Sequence, residues 1–267
     1  MTLVQEFSPW SISKVDLAKK CPKAFAFRYI DKIKTASGTE ARVGTAAHRS
    51  LELQLQGVQA VEAEATAVCE ARDLTTEELE DLYSMRQNIE DYLVRIRRFR
   101  EKYNVVYEGY EEKYGITLKG EPSGYDDPET FLRGSVDHLM LQDTGRAVII
   151  DHKSGKLKTA ADYAKQLDTY SILTVANVPQ ALGTYSGIHF LRYSLLDWHQ
   201  HAQRDHVRRT LLPWLRGYIE RVAAELGDYA AIPQRLCPWC DFIDRCEEGQ
   251  NHCKVNKLTR KTRKKKA

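Results

Sequence analysis

Two strand-like runs carry the residues best suited to chemistry. One contains Gly134-Ser135-Val136-Asp137-His138; the other, Val148-Ile149-Ile150-Asp151-His152-Lys153, is apolar until it ends in Asp-x-Lys. Side chains alternate across a strand, so Asp151 and Lys153 share one face. A turn near Asp143–Gly145 would fold the two runs into neighbours and bring Asp137 alongside. Two carboxylates meeting at a strand end make a hard-oxygen site suited to Mg2+ or Mn2+. A lysine beside them can position a water and stabilise charge on a phosphate, the combination phosphodiester hydrolysis uses. Taken alone, Asp-x-Lys reads as a surface ion pair, which is common and of little energetic weight. Its company gives it meaning. Gln166 and Tyr170 are four apart on one helical face, and Gly44-Thr45-Ala46-Ala47-His48 places an imidazole on an early helix.

The second group is sulfur. Six cysteines occur, and four fall between Cys237 and Cys253: Cys237, Cys240, Cys246 and Cys253, the first three as C-x2-C-x5-C. The first ten residues lack the basic-then-apolar layout of a signal peptide, so a reducing compartment is expected, where clustered thiols mean metal or redox chemistry. Thiolates of this spacing suit either zinc or an iron–sulfur cluster. Cys69, among Ala and Val, reads as a buried small hydrophobe. His199 and His201 form an H-x-H pair that reads as a solvated hairpin.

These groups need elements to hold them. Ser11 or Ser13 would cap a helix running toward Cys21, and Pro22 then leads through an aromatic stretch into a charged loop. Helices are expected over Thr45–Gln56, Val61–Arg72 and, as one long element, Thr75–Tyr103, where Leu79, Leu82, Ile89, Leu93 and Ile96 recur at helical spacing. Strands are expected over 105–114, 116–119, 131–141 and 147–151. A helix over 160–175, a strand over 184–193 and a helix over 203–226 follow. Strands concentrated mid-chain and flanked by helices indicate an α/β core.

The ordered set of Gly-x3-His (Gly44, His48), Gly-x2-Asp (Gly134, Asp137), Asp-x-Lys (Asp151, Lys153) and Gln-x3-Tyr (Gln166, Tyr170), with Cys21-Pro22 upstream and C-x2-C-x5-C downstream, resembles the iron–sulfur type of the RecB-like branch of the PD-(D/E)xK nuclease superfamily. That group includes the AddB nuclease domain and the exonucleases associated with CRISPR adaptation, which phages also encode. The resemblance spans about residues 11–246. It implies a central mixed sheet flanked by helices, with an N-terminal helical region and a C-terminal cysteine lobe closing on it. Residues 1–253 would form one nuclease domain, and 254–267 a flexible basic tail. It also implies roles. His48, Asp137, Asp151 and the carbonyl of His152 would ligate Mg2+ or Mn2+. Lys153 would be the catalytic lysine, braced by Gln166 and Tyr170. Cys21, Cys237, Cys240 and Cys246 would hold a [4Fe-4S] cluster, with zinc as the alternative. Such a clip between distant segments would stabilise by about 3–5 kcal/mol.

The charge balance narrows the partners. The chain of 267 residues carries 40 Lys+Arg against 37 Asp+Glu, net +3. Residues 254–267 hold eight bases and no acid, which leaves the remainder at −5. A uniformly basic nucleic-acid coat is excluded. A basic arm could offset repulsion of DNA through phosphate contacts. No apolar run approaches a membrane span, so the cytoplasm of a bacterial, archaeal or phage-infected cell is expected and no membrane partner. No Gly-x4-Gly-Lys-[Ser/Thr] loop occurs, so the chain has no helicase motor of its own. The expected substrate is DNA with single-stranded or frayed ends, in recombination, repair or CRISPR spacer processing, alongside helicase, recombination or adaptation proteins. A homo-oligomer is compatible with the resemblance. The rival reading is a non-catalytic, metal-stapled DNA-binding subunit of a larger complex.

Overall fold

A computed structural model describes residues 3–35, 38–72 and 74–259. In chain order the elements are α1 (Leu3–Glu6), α2 (Ile12–Lys20), α3 (Pro22–Tyr29), α4 (Thr39–Leu55), α5 (Ala60–Ala71), α6 (Thr76–Tyr83) and α7 (Arg86–Tyr103). The strands β1 (Val105–Thr117), β2 (Pro122–Ser123), β3 (Thr130–Gln142) and β4 (Arg146–Lys153) follow. Then come α8 (Ala164–Asn177), β5 (Gly183–Phe190), β6 (Leu195–Gln203), α9 (Arg204–His206), α10 (Leu212–Ala224) and α11 (Glu247–Val255). The chain divides into two compact units, Met1–Ala36 with Gly217–Ala267, and Ser37–Arg216. The last residues of the basic tail, 260–267, lie outside the described residues.

The larger unit is built on a six-stranded sheet in the order β2-β1-β3-β4-β5-β6. All neighbours are antiparallel except β4 and β5, which α8 joins as a crossover. The fold is therefore α/β with a mixed sheet flanked by helices, as expected. Val148 and Ile150 of β4 and Met140 of β3 pack into one core with Val43, Ala47 and Leu51 of α4 and Ile89, Tyr92 and Ile96 of α7. The Val, Leu, Ile and Met side chains among them each contribute about 1.5–3 kcal/mol when fully buried, enough to fix α4 and α7 against one sheet face.

Several boundaries differ from the sequence expectation, each for a local reason. α4 begins at Thr39 rather than Thr45, because Gly44 lies inside the helix, where a Cβ would stand 2.7 Å from Ser154 Oγ. The long helix is two, α6 and α7, broken at Ser84–Met85: Ser84 Oγ donates to the Asp81 carbonyl at 2.7 Å and Met85 is fully buried. The 105–114 and 116–119 strands are one, β1. The helix expected from 203 is α9, a π-helical turn over Val207–Leu211, and α10. His199 and His201 belong to the edge strand β6, and His199 Nε2 pairs with Asp168 Oδ1 at 3.2 Å. Cys69 is exposed, not buried. The buried positions of α5 include Ala63 and Ala67, and Cys69 falls on another face of that helix.

The smaller unit joins the two ends of the chain. Ser11 caps α2, accepting the Lys14 N–H at 3.3 Å. The aromatic stretch before the charged loop is helical: Pro22 occupies the first turn of α3, where its missing N–H costs nothing. Phe7, Trp10, Phe25 and Tyr229 form an edge-to-face and stacked cluster with centroids 5.2–6.4 Å apart. Lys23–Glu248 and Arg28–Asp241 ion pairs, each 2.6 Å, link α3 to the C-terminal segment. Being exposed, they add little stability.

Candidate active site and metal centre

The hydrogen-bonded ladder between β3 and β4 ends at His138 opposite Ile150. Beyond that pair, the Asp137 carboxylate accepts the backbone N–H of His152 at 2.8 Å through Oδ2. The parting of two strands at an Asp leaves Asp137 and Asp151 beside one another at the sheet's open end. Asp151 is almost fully buried. Its Oδ1 accepts from Gln166 Nε2 at 2.9 Å and from the Tyr170 hydroxyl at 3.3 Å, while Oδ2 faces Lys153 Nζ at 2.7 Å. Gln166 also donates to the Tyr170 oxygen at 2.8 Å, so its amide carries both donations. Gly134 explains how α8 comes so close: a Cβ there would stand 3.0 Å from Leu173 Cδ1 and 3.3 Å from Tyr170 Cε1.

On the other side, His48 Nδ1 lies 3.6 Å from Asp137 Oδ2. His48, Asp137 and Glu111 each offer one ligand atom within 4.8 Å of the others, and the three could hold a metal ion. Glu111 was not among the residues expected from sequence. It sits between Tyr110 and Glu112, which pair with His138 and Val136, so it stands across from Asp137. Its φ of +49° is left-handed, rare for a glutamate inside a strand. Ser135 Oγ donates to its Oε2 at 3.0 Å.

Electrostatics favour a cation here. Burial, then the charges of Asp151 and Glu111, raise Asp137 well above the ordinary carboxylate range. Burial lowers His48, so its imidazole stays neutral with a lone pair to give. Burial alone would lower Lys153, but Asp151 and Asp137 outweigh it and hold the ammonium charged. Burial keeps the Tyr170 phenol protonated as a donor.

The ring of His152 points to the face opposite Asp151 and enters a buried polar layer. His152 Nδ1 meets His189 Nδ1 at 3.1 Å, and Tyr92 stacks on His189 at 3.9 Å. The Tyr92 hydroxyl meets His138 Nδ1 at 2.9 Å, and His138 Nε2 meets Glu108 at 2.6 Å. Burial would raise Glu108, but hydrogen bonds from His138 and Arg100 bring it to about 2. Sequence reasoning missed this layer because its members come from α7 and four strands and meet only in the fold.

In the smaller unit, Cys21, Cys237, Cys240 and Cys246 border one cavity of about 250 Å3, together with Phe27, Pro233, Trp239 and Phe242. Backbone N–H groups point at three of the sulfurs: Gln234 to Cys237 at 3.2 Å, Gly249 to Cys246 at 3.3 Å, and Phe242 to Cys240. Burial raises the Cys240 and Cys246 thiols, and Cys21 raises both further. Cys253 and His252 do not line the cavity.

The sequence matches the PD-(D/E)XK nuclease superfamily over residues 9–247. That span is most of the chain, which therefore belongs to this superfamily of nucleases. Among solved structures, it is similar to an Eubacterium rectale protein described as a "putative exonuclease", with 15% identity over 86% of each chain and a TM-score of 0.47. It is also similar to the protein SSO0001, with 14% identity over 88% of this chain and 95% of that one, and a TM-score of 0.35. No curated protein matches the sequence. No helix among the described residues is long and apolar enough to cross a membrane.

Proposed function

We propose that the chain is a divalent-metal-dependent DNA exonuclease that hydrolyses phosphodiester bonds at single-stranded or frayed ends. The observation that carries this reading is the closed set around Asp151: Lys153, Gln166 and Tyr170 all reach one buried carboxylate, beside the His48–Glu111–Asp137 group. His48, Asp137, Asp151, the His152 carbonyl and, newly, Glu111 would hold Mg2+ or Mn2+. A bound ion of this kind supplies Lewis-acid charge at the phosphate. Lys153 places a fixed cation where charge develops as a water oxygen bonds to phosphorus and the bond to the leaving nucleotide breaks. Gln166 and Tyr170 hold Asp151, and through it Lys153, in place. DNA metabolism in the cytoplasm, in recombination, repair or CRISPR spacer handling alongside helicase, recombination or adaptation proteins, suits an enzyme of this kind.

The cysteine cavity suits a [4Fe-4S] cluster better than zinc. A tetrahedral zinc site with bonds of about 2.3 Å draws its sulfurs to roughly 3.8 Å of one another. Among the described residues, no three cysteine sulfurs close within 4.8 Å, yet four border a common space. The N–H groups aimed at sulfur are the kind that stabilise cluster thiolates. On this reading residues 1–253 work as one nuclease, with the cysteine lobe as a structural staple.

The test uses labelled single- and double-stranded DNA with Mn2+. Asp151→Ala and Lys153→Ala should each abolish digestion while leaving the circular dichroism spectrum intact. Digestion by either variant at the wild-type rate would refute the assignment, and a wild type that binds DNA without cutting it would favour the non-catalytic subunit. Iron and sulfide in near-equal amounts, lost in Cys21→Ser, are expected; stoichiometric zinc with neither would refute the cluster.

A further inference from the structure

Beyond the carboxylates, one aromatic ring collects two cations. Lys153 and Lys158 each place an ammonium 5.4 Å from the centroid of Tyr163. Two like charges are thereby held at most about 10.8 Å apart, both beside one π surface. The ring is firmly placed. The Thr159 N–H and hydroxyl both donate to Asp162 Oδ2, at 2.9 and 3.0 Å, which closes the turn that carries Tyr163. The Ala160 N–H donates to Asp197 Oδ2 of β6 at 2.7 Å. Tyr163 then leans on the buried Phe190, with centroids 6.2 Å apart. Its ring remains partly exposed.

The surface beside His48 differs in charge. A pocket of about 450 Å3 beside His48 is lined by Glu40, Glu52 and Glu111, and its Arg49 is engaged by Glu52 and Glu70. A polyanion is repelled there and attracted along the lysine side.

We infer that Tyr163, between Lys153 and Lys158, is a nucleotide subsite: a nucleobase stacks on the ring while the phosphates flanking that nucleotide meet the two lysines. The inference rests on reading the Asp151–Lys153 cluster as a phosphodiester-cleaving site. When the Lys158 ammonium turns to a phosphate, the ring surface it shielded becomes free for a base, while Lys153 stays beside Asp151. Stacking of this kind is indifferent to sequence but needs an unpaired base, so the subsite favours single strands over duplex.

The experiment follows Mn2+-dependent digestion of short single strands in which one abasic nucleotide is moved stepwise along the chain. For the wild-type protein, removing the base at one position should raise KM roughly tenfold, the order expected for one base–aromatic stack. Tyr163→Ala should show a similar rise on the intact strand and no further rise with the abasic one, the loss falling on KM rather than kcat. Tyr163→Phe should recover most of it. Lys158→Ala should raise KM a few-fold, with a shallower salt dependence. An unchanged KM in Tyr163→Ala, a loss confined to kcat, or a wild type indifferent to every abasic position would overturn the subsite. If the wild type cleaves nothing, the cleavage reading fails by itself. The subsite is then decided by fluorescence anisotropy of the same strands with Ca2+: weaker binding by Tyr163→Ala supports it, and equal binding overturns it.

Discussion

Asp137→Asn should make the metal-free protein more stable and the metal-loaded protein less so. Asparagine keeps an oxygen to accept the His152 N–H and removes only the charge. Asp137 and Glu111 present atoms within 4.8 Å. Two unit charges at that spacing repel by about 3.5 kcal/mol at an effective dielectric near 20 and by about 0.9 kcal/mol in bulk water. Glu111 is exposed, so the relief lies between these limits, at about 1–3 kcal/mol. For a unit of this size that is about 3–10 °C in Tm. The sign follows from the raised Asp137: the folded state holds the proton more tightly than the unfolded chain, so the wild type loses stability as pH rises above the unfolded carboxylate value. The variant's advantage in EDTA should therefore be absent below pH about 4 and grow as pH rises from there toward the raised Asp137 value. Mn2+ at a hundred times its Kd should stabilise the wild type by about 2.7 kcal/mol and the variant hardly at all, inverting the order. Differential scanning calorimetry in EDTA and in Mn2+ reads both arms. A variant that melts at or below the wild type in EDTA at pH 7, or that gains equally from Mn2+, would refute the reasoning.

The same protonation should appear in binding. Mn2+ must displace the Asp137 proton, whereas His48 is already neutral, so affinity should rise with pH and calorimetry in buffers of different ionisation enthalpy should reveal proton release; a pH-independent affinity would contradict this. Deleting residues 254–267 should weaken DNA binding at low salt without abolishing turnover, since the rest of the chain is net negative. Equal affinity with and without these residues would leave them no part in binding.

The candidate site was legible where chemistry is local. Period-two alternation alone put Asp151 beside Lys153, and helical spacing put Gln166 beside Tyr170; in the structure all four converge. Glu111 was not legible, because it meets Asp137 only through the β1–β3 register, and no local pattern in its Tyr-Glu-Glu run separates it from a solvated edge. The break between α6 and α7 was hidden for a related reason. Leu79, Leu82, Ile89 and Ile96 stay in helical phase across it, and Ser84–Met85 contains neither Pro nor Gly. No helix was expected over the aromatic stretch after Cys21, since proline suits both the end of one helix and the first turn of the next.

The pairing of the two chain ends in one unit has a consequence for synthesis. Phe7, Trp10 and Phe25 leave the ribosome before the Ser37–Arg216 stretch, but Tyr229 and the later cysteines that complete their unit come only after that whole stretch has been made. At bacterial-scale translation rates that interval is roughly 10–40 s. Throughout it the larger unit can fold while an aromatic segment and a lone thiol wait uncovered. Nascent-chain length, rather than the stability of the finished protein, would then set when this molecule is most exposed to chaperones, proteases and oxidants.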